Sequence, residues 1–214
     1  CRGAARGKAG GMKKTAIVAA VVFFAVVLAI ENITPNVVQE PAPVRVLFVG
    51  DIMLDRNVAL TILSDGPEAL FAGIGALLAD SDLRVGNLEG TITGSSSVAQ
   101  KNSGILRFTF DPAQTDSVLA PLRFDAFSLA NNHSLDFGQS GYAETRRRLK
   151  EGGVAAFGHP YNAPGKISTT LLVKNKTICL VGFHSLYSAT TTVVVEEIKT
   201  LRPNCWRVVA FAHW

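Results

Sequence analysis

An apolar run from Phe124 to Ala130 ends abruptly in Asn131-Asn132-His133-Ser134-Leu135-Asp136-Phe137-Gly138. Such a run reads as a buried strand. Its exit sets two amides, an imidazole and a carboxylate where an α/β sheet carries its site, beyond the carboxyl end of a strand. Three other runs end in the same way. Val44–Val49 leads into Gly50-Asp51, Leu83–Gly86 into Asn87-Leu88-Glu89-Gly90, and Val208–Ala212 into His213-Trp214. Strands must end somewhere and polar residues follow them, so one such ending says little. Four of them point to one shared rim.

Between these runs the pattern alternates strand and helix, which argues for an α/β fold. Glu68–Ala79 reads as a helix with Leu70, Phe71, Ile74, Leu77 and Leu78 on one face. Thr91–Gly104 is rich in Ser, Thr and Gly and reads as a loop at the rim. Ile105–Phe110 reads as a short strand. Asp111 suits the N-cap of a helix running through Val118 and Leu119. A helix over Ser140–Glu151 is closed by Gly152-Gly153, and Val154–Phe157 follows as a strand. Thr169–Val173 and Thr177–Phe183 form a hairpin about Lys174-Asn175-Lys176, which adds an antiparallel part. Val193–Leu201 suits strand, helix or one passing into the other.

At 214 residues the chain is long enough for one domain with a real core. The net charge of +4 is modest. No basic stripe with interleaved aromatics is present, so nucleic acid is not an expected partner. The triplet Arg146-Arg147-Arg148 reads as the solvated face of a helix. The cysteines, Cys1, Cys179 and Cys205, show no CxxC spacing, which argues against a cysteine zinc site. Cys179 lies in an apolar run and suits the core; a Cys179–Cys205 disulfide is open to an exported domain.

The N-terminus reads as an address rather than as fold. Residues 1–11 are small and basic, an unstructured or mis-set start before Met12. Residues 12–31 carry Lys13-Lys14, an apolar run and then Glu31, the form of a signal peptide or a short membrane anchor. Charge on the near side places the remainder outside the membrane, as an anchored extracytoplasmic domain or a secreted one. Residues 32–43, with Pro35, Pro41 and Pro43, form a linker. The domain then occupies 44–214.

The chemistry of the rim rests on Asp51, Glu89, Asn131 or Asn132, and His213. Carboxylate and amide oxygens suit hard divalent ions, and imidazole widens the choice to Mn, Mg, Fe or Zn. Two such ions about 3.5–4 Å apart could hold both ends of a phosphoryl displacement. His133 can act as general acid. Asp136 either orients His133 through a ring N–H or caps the next helix. Arg56, in a loop or first helical turn, either forms a surface ion pair or clamps an oxyanion. His159 reads as a loop histidine, and His184 at a strand end is intermediate. Trp214 either stacks on substrate or packs.

The set Gly50-Asp51 with Arg56, Asn87-Leu88-Glu89-Gly90, Ala130-Asn131-Asn132-His133 with Asp136 and Gly138, and His213-Trp214 resembles the bacterial capsule-synthesis CapA family (PGA_cap). That family is similar in fold to the calcineurin-type metallophosphoesterases. The resemblance spans Val44–Trp214. It implies a metallophosphatase-like αββα sandwich, incomplete at the C-terminus because the family continues past its His-Trp motif. By resemblance Asp51 is the first metal ligand, Glu89 the bridging carboxylate, Asn131 or Asn132 the amide ligand, His133 the acid and His213 a later ligand. The phosphoesterase Asp-x-His motif reads Asp51-Ile52-Met53 here, and a thioether suits a hard ion poorly. The function implied is membrane-associated, extracytoplasmic work in poly-γ-glutamate capsule biosynthesis or export. The expected partners are an anionic polymer or phosphate-containing substrate, the membrane, and capsule synthase or export subunits. The alternatives are a metal-dependent phosphoesterase and an inactive truncated fragment.

Overall fold

The computed structural model describes residues 42–99, 104–187 and 191–214. Segment 12–31 and the linker as far as residue 41 lie outside the described residues, so the expected anchor and its linker do too. Among the described residues no helix is long and apolar enough to cross a membrane. Pro43–Trp214 form one compact unit, the second of two along the chain.

The second unit is mixed α/β. A parallel sheet is ordered β1 (Val46–Ile52), β2 (Leu83–Leu88), β5 (Ala126–Ser128) and β6 (Ala155–Phe157). A second sheet joins the hairpin β7 (Ser168–Val173) and β8 (Lys176–His184) to β9 (Arg207–His213), which runs parallel to β8. A small parallel pair, β3 (Thr91–Ile92) with β4 (Thr109–Phe110), lies within the stretches read as a loop and a longer strand. The helices are α1 (Arg56–Asp65), α2 (Gly75–Ala79), α3 (Pro112–Leu122), α4 (Gly138–Glu151) and α5 (Thr192–Leu201).

Alternation along the strands assigns each side chain to a layer. Leu83, Val85, Ala126 and Phe157 pack with Ile178 and Leu180, so one apolar cluster lies between the two sheets. The opposite face of the first sheet, with Leu88 and Phe127, is covered by Ile62, Leu78, Val118, Leu119, Leu122, Tyr142 and Leu149 from α1 to α4. The outer face of the second sheet packs Val181 against Val194, Ile198 and Leu201 of α5.

One strand breaks this alternation where it matters. Phe48 pairs with Val85, yet Asp51 pairs with Asn87, so β1 carries one extra residue. Such a bulge moves every later side chain to the other face. Val49 and Ile52 both reach the helix-covered face although they are three apart. Asp51 is thereby turned with Asn87 toward the space between the sheets.

One expectation needs correction. The helix expected over Glu68–Ala79 is broken. Pro67–Leu70 is a 3₁₀ turn, and α-helix resumes only at Gly75–Ala79. Gly73 and Gly75 weaken helix at the break. Arg56, expected in the loop or first helical turn, opens α1, which the buried Asp55 carboxylate caps by accepting from the Arg56 amide at 2.7 Å. Other expectations match. Asp111 caps α3 through Gln114 N at 2.9 Å, Gly152 closes α4, and Val193–Leu201 is helical. The hairpin turns on Lys174 and Asn175, both at positive φ (46° and 60°), the backbone of a tight two-residue connection. Cys179 and Cys205 form a disulfide that ties β8 to the approach of β9.

The sheets come closest at their carboxyl ends. A Cβ on Gly182 of β8 would lie 2.6 Å from Gly158 Cα and 3.1 Å from Ala130 Cβ. Glycine is therefore required at Gly182 by contact with backbone. Gly182→Ala is expected to cost about 1–3 kcal/mol, the usual cost of overpacking, whereas Gly73→Ala, with open space around it, stays near neutral. Urea unfolding of both variants checks this; equal midpoints would contradict the close approach.

Candidate metal centre

Residues distant in sequence meet in the cleft at this pinched end. Asp51 closes β1, Asn87 and Glu89 lie at the end of β2, Asn131 and Asn132 follow β5, and His213 ends β9. Ligand atoms of Asp51, Glu89 and His213 all lie within 4.8 Å of one another. His213 Nδ1 is 3.6 Å from Asp51 Oδ1 and its Nε2 is 3.7 Å from Glu89 Oε2.

Asn87 holds the acids together. Its Nδ2 donates to Asp51 Oδ1 at 2.8 Å and to Glu89 Oε2 at 2.6 Å, and lies 3.3 Å from His213 Nδ1. Its Oδ1 in turn accepts from Asn131 Nδ2 at 2.9 Å. Asn87 stands in the Asn87-Leu88-Glu89 motif, yet the sequence reading does not count it among the site residues. The available signal is its spacing, since residues two apart on a strand face the same way.

The structure separates the two amides that the sequence leaves open. Asn131 is fully buried and commits both ends to the scaffold. Its Nδ2 also donates to Leu88 O at 2.8 Å, while its Oδ1 accepts from His133 N and Ser134 Oγ, each at 3.0 Å. Asn132 instead turns its Oδ1 toward His213 Nε2 at 3.1 Å. Asn132 is the amide that faces His213, and Asn131 supports Asn87 and the turn at His133.

His133 flanks the group. Its Nδ1 pairs with Asp136 Oδ2 at 2.8 Å, its Nε2 is 3.8 Å from Glu89 Oε1, and its ring packs on Phe108 at 4.4 Å. Asp136 therefore orients His133. It does not cap α4, whose N-cap is Phe137 without a side-chain bond. Burial disfavours charge on His133, but Asp136, then Glu89 and Asp51, outweigh it and raise the proton affinity of the ring. Glu89 is likewise raised, first by burial and further by Asp51, against the pull of His213 and His133. Acids crowded in this way repel one another, and a cation among them would relieve that repulsion. The donor set of two carboxylates, an imidazole and an amide oxygen fits a divalent ion.

Met53 adds nothing to this set. It packs against the core on the helix-covered face, and its Sδ accepts from Asp55 N at 3.2 Å. Arg56 is exposed at the start of α1, and among the described residues its guanidinium has no hydrogen-bond or ion-pair partner. The structure does not bring it to the group. Trp214 is 81% exposed. His184 ends β8 beside His213, fully buried, with ring centroids 5.7 Å apart. Burial, and then His213, lower its pKa to about 4, so it packs as a neutral ring. Its Nδ1 accepts from Leu186 N at 3.2 Å, and its Nε2 has no partner among the described residues.

The profile of bacterial capsule synthesis proteins, PGA_cap, matches residues 45–214. The PGA biosynthesis protein CapA of Bacillus subtilis (strain 168) is 29% identical over 184 residues, covering 78% of this chain and 48% of that protein. The capsule biosynthesis protein CapA of Bacillus anthracis is 24% identical over 175 residues, covering 81% and 43%. The chain spans about half the length of these curated relatives. A crystal structure of a hypothetical protein from Thermus thermophilus superposes with a TM-score of 0.49 at 17% identity, covering 79% of this chain and 57% of that one.

The two asparagines give opposite expectations. Asn131→Ala leaves buried partners unpaired and should cost about 1–3 kcal/mol of stability. Asn132→Ala should leave stability within about 0.5 kcal/mol while weakening Mn²⁺ binding. Thermal melts and metal titration of both variants check the division; the reverse pattern would contradict it.

Proposed function

The chain belongs to the bacterial capsule synthesis protein family PGA_cap, and from that premise we propose that it serves poly-γ-glutamate capsule biosynthesis or export through a metal-binding, metallophosphatase-like centre. The observation that carries this reading is the convergence of Asp51, Glu89 and His213 from three strands of two sheets. The helix, sheet, sheet, helix order of the packed layers supports the αββα description. A divalent ion, Mn, Mg, Fe or Zn, would be held by Asp51, Glu89, His213 and Asn132, and when bound it would polarise an anionic oxygen of the ligand.

The chain's own residues define the remainder. Asn87 fixes the two carboxylates in place before any ion arrives. Phe108 and Asp136 hold the His133 ring. With Nδ1 bonded to Asp136, Nε2 is the atom left to give a proton to an oxygen in the cleft.

A non-hydrolytic role is favoured over a phosphoesterase. Among the described residues there is one ligand group of this kind, and Met53 turns its sulfur into the following loop. The specific observation for hydrolysis is the His133–Asp136 pair, which suits a general acid. Placement outside the cytoplasm is supported by the Cys179–Cys205 disulfide, since such bonds persist in oxidising compartments. The capsule polymer, the membrane and synthase or export subunits are the partners this reading assigns.

Calorimetric titration with Mn²⁺ should give binding that Glu89→Gln and His213→Ala each weaken at least about 100-fold, the upper end of what outer-shell partners alone cost. Assay of a generic phosphodiester with Mn²⁺ should show no turnover. Turnover abolished by His133→Ala would establish the phosphoesterase instead, and a wild-type chain that binds no Mn²⁺ would refute the centre.

A further inference from the structure

The metal group does not stand alone in the cleft. From His213 an unbroken series of ring contacts runs outward. His213 stacks on His184 at 5.7 Å, His184 on Tyr187 at 5.2 Å, and Tyr187 meets Tyr161 at 5.6 Å. Tyr161 then lies 6.0 Å from His159, and His159 5.2 Å from Tyr142. Two cations flank the far end, with Arg146 Cζ 5.8 Å and Lys166 Nζ 5.9 Å from the Tyr142 ring.

His184, His159 and Tyr142 are buried and His213 is half-buried, but Tyr161 and Tyr187, in the middle of the series, are 54% and 53% exposed. Their position is fixed. Tyr187 Oη donates to Asn132 O at 3.2 Å, which ties the outer wall to the amide at the metal group. His159 Nδ1 accepts from Tyr161 N at 3.1 Å. Two large rings held half in solvent, on a rigid line to a cluster of ligands, form a surface prepared for contact.

The charges at the Tyr142 end of the series, beyond His159 from the wall, differ from those elsewhere on α4. Arg147 pairs with Glu151 and Arg148 with Glu144, which is the solvated face expected of the triplet. Arg146 and Lys166 form no ion pair among the described residues. Both lie close enough to His159 to disfavour its protonation, after the larger effect of burial.

We propose that the Tyr161–Tyr187 wall, with Lys166 and Arg146, is a subsite for an acidic polyamide chain whose next segment reaches the Asp51–Glu89–His213 group. Flat amide groups and aliphatic stems cover tyrosine faces, and carboxylates on the chain match the two cations that lack an ion pair. A single-stranded nucleic acid would use the same rings but needs a basic track along the whole stack. Here the cations stand at one end, while a tyrosine hydroxyl and an asparagine backbone meet at the other. The choice of polymer rests on the capsule reading above; the subsite itself rests on the wall and its cations.

The test is binding of a fluorescent γ-linked glutamate oligomer to the full chain with Mn²⁺ present. Tyr161→Ala/Lys166→Ala alters two exposed residues outside the metal group. It is expected to weaken oligomer binding at least about tenfold, the scale of losing interface contacts worth about 1.4 kcal/mol. Its Mn²⁺ titration should match the wild type, which also shows that it folds. Lys166→Arg should retain binding. Unchanged oligomer affinity in the double variant, or no oligomer binding by the wild type, would overturn the subsite and leave the metal centre to its own titration. A single-stranded oligonucleotide of equal charge binding more tightly than the oligomer would overturn it in favour of nucleic acid.

Discussion

Two glycine backbones in contact make the rest of this structure possible. Stacked sheets ordinarily stand about 10 Å apart, the distance that two layers of side chains impose. At Gly182 and Gly158 one layer is missing, and a Cβ on either residue would collide with the chain opposite or beside it. The sheets therefore converge at their carboxyl ends while remaining apart over Phe157, Leu180 and the rest of the apolar filling. His184 and His213, paired in register at the ends of β8 and β9, are carried to the residues that end β1, β2 and β5. A site drawn from the first sheet alone would have lacked the His213 imidazole.

Closeness brings an electrostatic cost, and the polar scaffold answers it. Burial, and then the neighbouring Asp51, make Glu89 harder to charge. Asn87 donates to both, Asn131 holds Asn87, and the Asn131 oxygen is fixed by His133 N and Ser134 Oγ. The chain thus devotes a fully buried amide to support so that a neighbouring amide can face the centre. Networks of this kind rigidify when every member is satisfied. Among the described residues His184 Nε2 is left without a hydrogen-bond partner, and its ring serves as a neutral plate between His213 and Tyr187.

Much of this is legible in the sequence, and the reasons for the gaps are physical. The four apolar runs ending in polar groups mark the rim, because strand ends of an α/β sheet face one way. The bulge in β1 is not legible, since Gly50 permits it without requiring it, yet it decides the side on which Asp51 lies. Apolar spacing alone suggests one helix over Glu68–Ala79, and Gly73 and Gly75 outweigh it. Asn131 and Asn132 are identical in type, and only tertiary contacts distinguish support from ligand. The ring series joins residues from β8, β9, α4 and the loops that follow β6 and β8, so no local pattern carries it. Arg56 sits in a family-like motif, but its helix turns it to solvent.

The pinched ends of the two sheets bring Asp51, Glu89 and His213 within reach of one ion, and diffraction from Mn²⁺-soaked crystals at the manganese absorption edge measures most directly whether they hold it. The account predicts an anomalous peak bonded to Asp51, Glu89 and His213, with the Asn132 oxygen as a further ligand. Crystals that place manganese elsewhere, or that show the carboxylates still bridged by Asn87 with no anomalous peak at saturating metal, would contradict it.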